Sequence, residues 1–598
     1  MNRQIAYGKK EVKHKIIERF GIGIFLSVLL LPMLYAEESP ILRAMQDELQ
    51  RTVKNLKLEK EKPPYYVAYR IDDITDITIV ARFGAIVEDN SEHNRNLYVD
   101  LRVGNYNFDN SNFVPSSGYE FRFGSMENAT RLPLEDDYDA IRQKIWLATD
   151  AAYKEAIDLL AKKKSVVEHK ALSETIPDFT QITPYQEIEE IKRIKIDCDC
   201  WRKSVKEISN LFRNYPKIQT SRVIFRALSL TRYFIDSEGN KQVTNNSLTY
   251  VEAYANTQNK AGANLADFVG FYAHNPEELP KLNAIIEKVK AMAETLSLYT
   301  EVKEEKEYTG PVLFLAPASG QLFYQILGKG VSDTRRPLYE QEEMEKVLEE
   351  NTGFLAGRLN KSILPDYFTV YDDPTITNYE DKPLIGNYSF DDQGVKPERI
   401  ELVKNGKLVT LPMSRKPIKE IKKSNGHGRF YNRMVRNYIS NLIVQSEKTS
   451  DDLEKELIRL CQENGLEYGI VVTKLLPSLP KTAEELEEEI YSYFTGGRPE
   501  APMLNPTFVA YKLYPDGHKE LIKSLKFEGI TPQILKDIVA VGKEMNVYNT
   551  LIRERFGGDA YLPISVVAPS VIISKMTLTS KEEKTKKQPY LSHPYFGK

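Results

Sequence analysis

Three strand-like runs near the N-terminus most constrain what this chain can fold into. They are YYVAYRID (65–72), ITIVARFGAIV (77–87) and NLYVDLRVGNYNF (96–108). Each run alternates apolar and polar residues, and Asn, Asp and Gly interrupt the series. This is the pattern of short strands joined by turns. We therefore predict a β-meander in the N-terminal half of the protein.

Helical and strand-like patterns alternate through the rest of the chain. The helical segments are 136–164, 275–296, 453–465 and 531–542, and the strand-like ones are 310–317 and 564–573, with an Asn-Gly hairpin at 405–409. Apolar residues recur at helical spacing in the first group and form short continuous runs in the second. The sequence therefore predicts a chain that contains both helices and strands.

The length of the chain requires more than one hydrophobic core. A chain of 598 residues exceeds the usual size of one domain. The charged run EVKEEKEYTG (301–310) is a plausible boundary. We predict an N-terminal α/β domain over 37–305, a β-rich C-terminal domain over 306–580 and a flexible polar tail over 581–598.

The first 36 residues have the pattern of a secretory signal. Six basic residues lie within 1–20, and the uncharged segment GIGIFLSVLLLPMLYA (21–36) follows them. We predict a signal peptide over 1–36, hence an exported, periplasmic protein with no stable membrane span after cleavage. An uncleaved anchor or a buried helix is the alternative. The net charge of −3 gives no reason to expect nucleic-acid binding.

The chain contains three cysteines, Cys198, Cys200 and Cys461. An odd number argues against a disulfide framework. On a strand, Cys198 and Cys200 would point to the same side. One bridge to Cys461 stays open, and a zinc site would need more ligands than a Cys-x-Cys pair supplies.

The segment IGNYSFDDQGV (385–395) contains adjacent carboxylates, Asp391 and Asp392. Neighbouring residues on a strand face opposite sides, so both carboxylates cannot easily hold one ion. The favoured interpretation is a turn, in which Asp side chains accept hydrogen bonds from nearby N–H groups and Gly394 supplies a positive φ. General acid–base catalysis by this pair is the alternative.

The loop SNGHGRF (424–430) presents His427 between two glycines, followed by Arg429. Such a loop could offer N–H groups, an imidazole and a guanidinium to an anion or a peptide carboxylate. An ordinary glycine-rich surface loop is equally consistent with it. The other histidines are scattered and form no paired-ligand motif.

Several segments in this order resemble the TldD/PmbA family, which comprises metallopeptidase-related proteins also called modulators of DNA gyrase. The matching segments are GPVLFLAPASGQLFYQILGKG (310–330), VYDDPTI (370–376), LIGNYSFDDQGV (384–395), IELVKNGKLVTLPMSR (400–415), SNGHGR (424–429) and SVVAPS (565–570). The resemblance implies a two-domain α+β fold with large, mostly antiparallel sheets and flanking helices. It also implies a dimer that encloses a proteolytic cavity.

Within that family, one kind of subunit carries H-E-x-x-x-H on a helix and a late cysteine as zinc ligands. In this chain the hexapeptide falls at YQILGK, which places Tyr324, Gln325 and Lys329 at the three motif positions. The late cysteine would fall near 556–563, where the sequence has none. Protonated Tyr is a poor zinc ligand, Gln cannot act as a base, and the charge of Lys repels Zn²⁺. The chain therefore resembles the zinc-less, PmbA-like kind of subunit.

The resemblance implies an exported subunit without its own metal or other cofactor, with zinc supplied only through a partner. It would bind peptide or unfolded protein and form a homodimer or a heterodimer with a TldD-like subunit. One alternative is a hydrolase whose catalytic residues are Asp391, Asp392, His427 and Arg429. The other is a non-catalytic peptide-binding protein of the envelope.

Overall fold

The protein was analysed as a computed structural model that describes residues 39–116, 129–172, 176–259, 264–302, 307–341, 352–431, 434–476, 503–553 and 561–580. The predicted signal peptide and the predicted C-terminal tail lie outside these ranges. The described helices are α1 (Pro40–Asn55), α2 (Tyr138–His169), α3 (Cys198–Asn210), α4 (Leu282–Tyr299), α5 (Ala318–Phe323), α6 (Lys329–Val331) and α7 (Leu453–Glu463). None of these helices is long and apolar enough to cross a membrane.

The N-terminal half is built around a seven-stranded sheet. Its strands follow the order β10-β9-β8-β1-β2-β6, and β7 pairs with β9. All pairs are antiparallel except β7 with β9. The strands of this half are β1 (Tyr66–Arg82), β2 (Ala85–Arg102), β3 (Gly104–Asn105), β4 (Phe108–Asp109), β5 (Phe113–Val114), β6 (Thr130–Arg131), β7 (Gln186–Ile188), β8 (Thr220–Asp236), β9 (Lys241–Gln258) and β10 (Asn264–Ala273).

An eleven-stranded sheet forms the C-terminal half. Its main path is β17-β16-β13-β20-β26-β11-β21-β22-β23, and β24 and β25 also pair with β26. The strands of this half are β11 (Glu307–Phe314), β12 (Leu338–Tyr339), β13 (Phe368–Asp372), β14 (Asn378–Tyr379), β15 (Lys382–Pro383), β16 (Ile400–Lys404), β17 (Lys407–Leu408), β18 (Gly428–Tyr431), β19 (Met434–Asn437), β20 (Asn441–Ser446), β21 (Gly469–Leu475), β22 (Thr507–Leu513), β23 (Lys519–Ile522), β24 (Leu525–Glu528), β25 (Ile538–Arg553) and β26 (Tyr561–Ser580). The predicted α+β class is confirmed.

The two faces of the first sheet differ in chemistry. On β1, alternate residues such as Val67, Tyr69 and Ile71 lie in an apolar core that also contains residues of α1 and α2. The residues between them include Arg70 and Asp72, which are also buried. Because successive side chains of a strand point to opposite faces, these charges lie on the face away from the helices. This charged face meets segments of the C-terminal half.

The predicted meander has fewer and longer strands than the sequence suggested. The predicted runs 65–72 and 77–87 leave a break at 73–76, where Asp73 and Asp76 lie, but β1 continues through both. Neighbouring strands supply a cation to each of these carboxylates: Arg95 on β2 to Asp73, and Arg226 on β8 to Asp76. Cross-strand charge pairs of this kind let a strand tolerate residues that otherwise favour turns.

Two other local predictions are wrong. The helix expected over 531–542 is a 3₁₀ turn, Pro532–Asp537, followed by β25, whose Ile538 and Val541 pair with the buried strand β26. Sheet pairing at the core outweighs the local helical pattern. Cys198 and Cys200 lie in the first turn of α3 rather than on a strand, and no disulfide joins any of the three cysteines.

A buried ion pair anchors α2 to the loop that follows it. The Lys163 ammonium is fully buried, lies 2.6 Å from the Asp178 carboxylate and donates to the Ser111 carbonyl at 2.8 Å. The same carboxylate contacts Arg335 at 3.2 Å and accepts from the Asp109 N–H at 2.8 Å. Removing one partner of such a cluster leaves an uncompensated charge in the interior.

We expect Lys163→Met to destabilise the protein by about 3–5 kcal/mol, because Asp178 loses its closest cation while it stays buried. Lys154→Met is the matched control. Lys154 lies on the same helix and is also 2.6 Å from a carboxylate, Asp150, but both side chains are largely exposed. The control should change stability by less than about 1 kcal/mol. Thermal unfolding followed by circular dichroism compares the two, and equal effects would contradict the prediction.

Candidate functional site

Two segments of the C-terminal half lie against the charged face of the first sheet. One is the turn around Asp391 and Asp392, and the other is β18 with the loop before it. The turn contacts β8, because an added Cβ at Gly394 would lie 2.4 Å from the Phe234 ring. Phe430 on β18 lies under Arg70 of β1, with the guanidinium carbon 4.8 Å from the ring centroid.

The Asp391 carboxylate organises the turn, as the sequence predicted. One of its oxygens accepts from the Gln393 and Val395 N–H groups at 2.9 Å, and Gly394 has a φ of +76°. The other oxygen accepts from the Gly428 N–H, also at 2.9 Å. Burial raises the pKa of Asp391 to about 6, and the three N–H groups only partly oppose that rise.

The Asp392 side chain contacts three arginines rather than the N–H groups of the turn. Its carboxylate contacts Arg232 directly, lies 3.5 Å from Arg429 Nε and 3.7 Å from Arg70 Nη1, and accepts from the Phe430 N–H at 2.6 Å. Burial alone would raise the pKa of Asp392, but the guanidinium charges outweigh it and lower that pKa to about 2. The two adjacent carboxylates therefore have opposite electrostatic environments.

His427 is enclosed on both sides. Its side chain is fully buried, and its Nδ1 lies 2.9 Å from the Asn425 Oδ1. Its Nε2 lies 2.9 Å from an Asp372 oxygen, a close ion-pair distance whose direction is not that of a hydrogen bond. Asp372 in turn accepts from the Ser440 N–H and hydroxyl. The ring thus bridges two parts of the C-terminal half.

The structure brings Asp391, Asp392 and Arg429 together, but it turns the His427 ring towards Asp372. A general base must reach the proton that it removes. The buried ring contacts protein on both nitrogens, so the geometry gives the His427 hydrolase no direct support. A catalytic role for these four residues stays a prediction.

Sequence reasoning missed the residues that complete the cluster, Arg70 and Arg232, as well as Asp372. A usable signal was present at YVAYRID, where Arg70 and Asp72 alternate with apolar residues on a strand that pairs on both edges. Charges on a central strand are buried when another layer covers that face. The partners of those charges could not be identified, because Asp392 lies more than 300 residues further along the chain.

The segment aligned with the family's zinc motif is a π-helical turn. Tyr324–Gly328 form this turn between α5 and α6, and the Lys329 N–H donates to the Tyr324 carbonyl, five residues earlier. The turn brings the two side chains together, with Lys329 Nζ 5.6 Å from the centre of the Tyr324 ring. Single π-turns within helices occur frequently at functional sites. The local adjustment that two ligands five residues apart would need is therefore present.

The polar side chains of this helix bind backbone groups. Gln325 Oε1 accepts from the Asn505 N–H at 2.7 Å, and Gln321 Oε1 accepts from the Leu475 N–H at 2.9 Å. On another side, an added Cβ at Gly320 would lie 2.5 Å from Tyr548 on β25, so the helix packs closely on the second sheet. Gln325 holds a loop at the position where the motif's glutamate would activate water.

The residues of this helix do not fit a zinc ion. Tyr324, Gln325 and Lys329 supply a phenol, an amide and an ammonium, and none of these is a usual zinc ligand at neutral pH. Within the described ranges, no group of three or more His, Cys, Asp or Glu side chains is placed to hold a metal.

We expect stability to depend on pH through Asp391. A carboxyl whose folded pKa, about 6, exceeds its unfolded value near 3.8 stabilises the fold below 3.8, and that contribution is lost as pH rises through 6. The stability of the wild type relative to Asp391→Asn should therefore fall by up to about 3 kcal/mol between about pH 4 and pH 7. Urea unfolding at several pH values measures the difference.

Asp392→Asn is the control for this titration. The folded pKa of Asp392 is about 2, so its contribution is present above 3.8 and is lost only as pH falls through 2. The penalty for replacing Asp392 should therefore stay constant between about pH 5 and pH 7. A penalty for Asp391→Asn that is equally flat would show that burial does not raise the Asp391 pKa.

Comparison with known proteins identifies the C-terminal half. Residues 307–484 match the family described as PmbA/TldA metallopeptidase C-terminal domain. A protein named Metalloprotease from Archaeoglobus fulgidus is 34% identical over 87 residues, which are 14% of this chain and 19% of the relative. The chain thus spans about a fifth of that relative's length.

Solved structures share the fold at low identity. TldE from Thermococcus kodakarensis is 13% identical with a TM-score of 0.56, and the match covers 90% of this chain and 100% of TldE. A protein described as a putative modulator of a DNA gyrase from Thermotoga maritima is 13% identical with a TM-score of 0.53, and the match covers 86% of this chain and 96% of that protein. A similarly described protein from Bacteroides thetaiotaomicron is 12% identical with a TM-score of 0.53, and the match covers 90% of this chain and 98% of that protein. Residues 307–484 are therefore similar to the PmbA/TldA C-terminal domain family, and the chain as a whole shares the fold of these solved structures.

Proposed function

We propose that this protein is a zinc-less subunit of a TldD/PmbA-type peptidase assembly. In this proposal, a zinc-bearing relative of the TldD kind supplies the metal, and this chain shapes the cavity and binds peptide or unfolded protein. The observation that carries the proposal is the π-turn at Tyr324–Gly328. The turn keeps the geometry that two ligands five residues apart would need, but Tyr324 and Lys329 occupy those positions.

Gln325 supports the same proposal. A catalytic glutamate must stay free to accept a proton from water. Gln325 cannot be ionised, and its carbonyl oxygen already accepts a hydrogen bond from the Asn505 backbone. A side chain committed to holding a loop favours a structural role for this helix over a catalytic one.

A non-catalytic peptide-binding protein is the second candidate. The observation that favours it is the enclosure of His427, whose ring is buried between Asn425 and Asp372. The two candidates differ in the partner: a subunit of a peptidase cleaves peptide once its zinc-bearing relative is added, whereas a binding protein does not.

We further propose that the chain is exported, with the segment 1–36 as the signal. The basic residues before position 20 and the uncharged run that follows support this proposal. N-terminal sequencing of the protein recovered from its native cells tests it. A mature chain beginning close to Glu37 is the expected result, and an intact Met1 would contradict cleavage.

We expect the protein, captured by affinity from its native cells and then separated from any partner chain, to contain well under one zinc per chain, because the ligands at the motif positions do not bind Zn²⁺. The capture should recover a second TldD/PmbA-family chain that carries H-E-x-x-x-H. Elemental analysis and mass spectrometry measure the two results, with an unrelated exported protein as the control. A chain recovered alone, with one tightly held zinc and peptidase activity, would overturn the proposal.

Restoring the motif tests whether the helix has kept its geometry. We expect the triple variant Tyr324→His, Gln325→Glu, Lys329→His to bind Co²⁺, because the π-turn places positions 324 and 329 together. Visible absorption of Co²⁺ and equilibrium dialysis measure binding. The single variant Lys329→His is the matched control and should bind at least about tenfold more weakly, since one imidazole does not hold the metal. Equal binding by both variants would contradict the alignment of the motif.

A further inference from the structure

Arg70 is a buried arginine, and two of its guanidinium nitrogens have no hydrogen-bond acceptor. The residue is 1% exposed, and its guanidinium lies between two rings, 4.1 Å from the centre of Tyr98 and 4.8 Å from that of Phe430. No described residue accepts a hydrogen bond from its Nε or Nη1. The nearest carboxylate oxygens, on Asp72 and Asp392, are 3.4 and 3.7 Å away. Buried N–H donors without acceptors are costly, so they need an explanation.

Two further donors in the segments that lie on this face are in the same state. Arg429 is 8% exposed, and its Nη1 has no acceptor among the described residues. The buried amide Nε2 of Gln393 has none either. Arg232, by contrast, is fully engaged by the carboxylates of Asp72 and Asp392. The unused groups of Arg70, Arg429 and Gln393 are therefore all donors.

The charges of the cluster are also unequal. Three guanidiniums, those of Arg70, Arg232 and Arg429, face two carboxylates, those of Asp72 and Asp392. Asp391 lies next in the chain, but its oxygens are held by backbone N–H groups. A small anion would supply both the missing acceptors and the missing charge.

The shape and exposure of the cluster favour a carboxylate as that anion. A carboxylate offers two acceptor oxygens, one for the Arg70 guanidinium and one for that of Arg429. Arg70 and Arg429 both lie within 3.7 Å of the Asp392 carboxylate, so one anion seated beside Asp392 can reach both. The Arg232 side chain is 22% exposed, so the cluster meets solvent on that side.

We propose that a carboxylate group binds at the arginine cluster formed by Arg70, Arg232 and Arg429, where it accepts hydrogen bonds from Arg70 and Arg429. The carboxylate comes either from a small organic acid or from the C-terminus of a peptide. The site goes beyond the proposed function, because it requires neither a partner subunit nor the absence of zinc.

The test measures the thermal midpoint of the full-length chain as sodium acetate replaces sodium chloride at constant ionic strength. A ligand that binds only the folded state raises the midpoint in a saturable way. We expect acetate to do so, and Arg70→Met to weaken the apparent acetate affinity by about tenfold or more. Arg226→Met is the matched control, because Arg226 lies on the same strand as Arg232 and is ion-paired to Asp76. The control should keep the acetate response.

A second variant and a pair of peptides complete the test. Arg429→Gln should weaken acetate binding in the same way, and it gives the answer if Arg70→Met does not fold. A short peptide with a free C-terminal carboxylate, compared with its C-terminal amide, separates the two sources. If acetate and the peptide with a free C-terminus raise the midpoint but the peptide amide does not, the ligand is a peptide C-terminus. If only acetate raises the midpoint, the ligand is a small organic acid. No rise in the midpoint with any carboxylate, or an acetate response unchanged in both variants, would overturn the proposal. Ordered water would then be the acceptor for these donors.

Discussion

The contact between the charged face of the first sheet and the Asp391–Asp392 turn is the constraint on which the rest of the structure depends. Arg232 on β8 bridges Asp72 of the sheet and Asp392 of the turn. Both carboxylates are buried, so each one requires the Arg232 cation to be in place. The contact therefore fixes how the turn, β18 and the loop before it lie on the N-terminal half. A slip of one residue in β1 would move Arg70 and Asp72 to the apolar face.

The helix that follows β11 has a shape that does not depend on zinc-binding side chains. Its π-turn persists between α5 and α6, and its amides bind the backbone at Leu475 and Asn505. Close packing of Gly320 on Tyr548 holds the helix against the second sheet. A helix tied into the core in this way can keep its path after its metal-binding side chains have been replaced, because its position depends on packing rather than on a metal. This is the physical basis for the proposal that the chain is a partner subunit.

Sequence patterns identified the class of the fold but not the lengths of its elements. Alternation at 65–108 indicated strands, yet Asp76 suggested a break between two of them, because its partner Arg226 lies far along the chain. The segment 531–542 has a helical pattern, but Ile538 and Val541 pair with β26 and so belong to the sheet. The turn at Asp391 was predictable because it is local: an Asp, two N–H groups within four residues and a glycine with positive φ.

The sequence by itself determined the α+β class, the turn at Asp391 and the absence of histidines at the motif positions 324 and 329, because each depends on residue type or on neighbours within a few positions. Only the tertiary structure decided which charges meet. It buried His427 against Asp372, placed arginines around Asp392 and left two nitrogens of Arg70 without an acceptor. The physical reason is that the energy of a buried charge depends on the groups packed around it, and here those groups come from both halves of the chain.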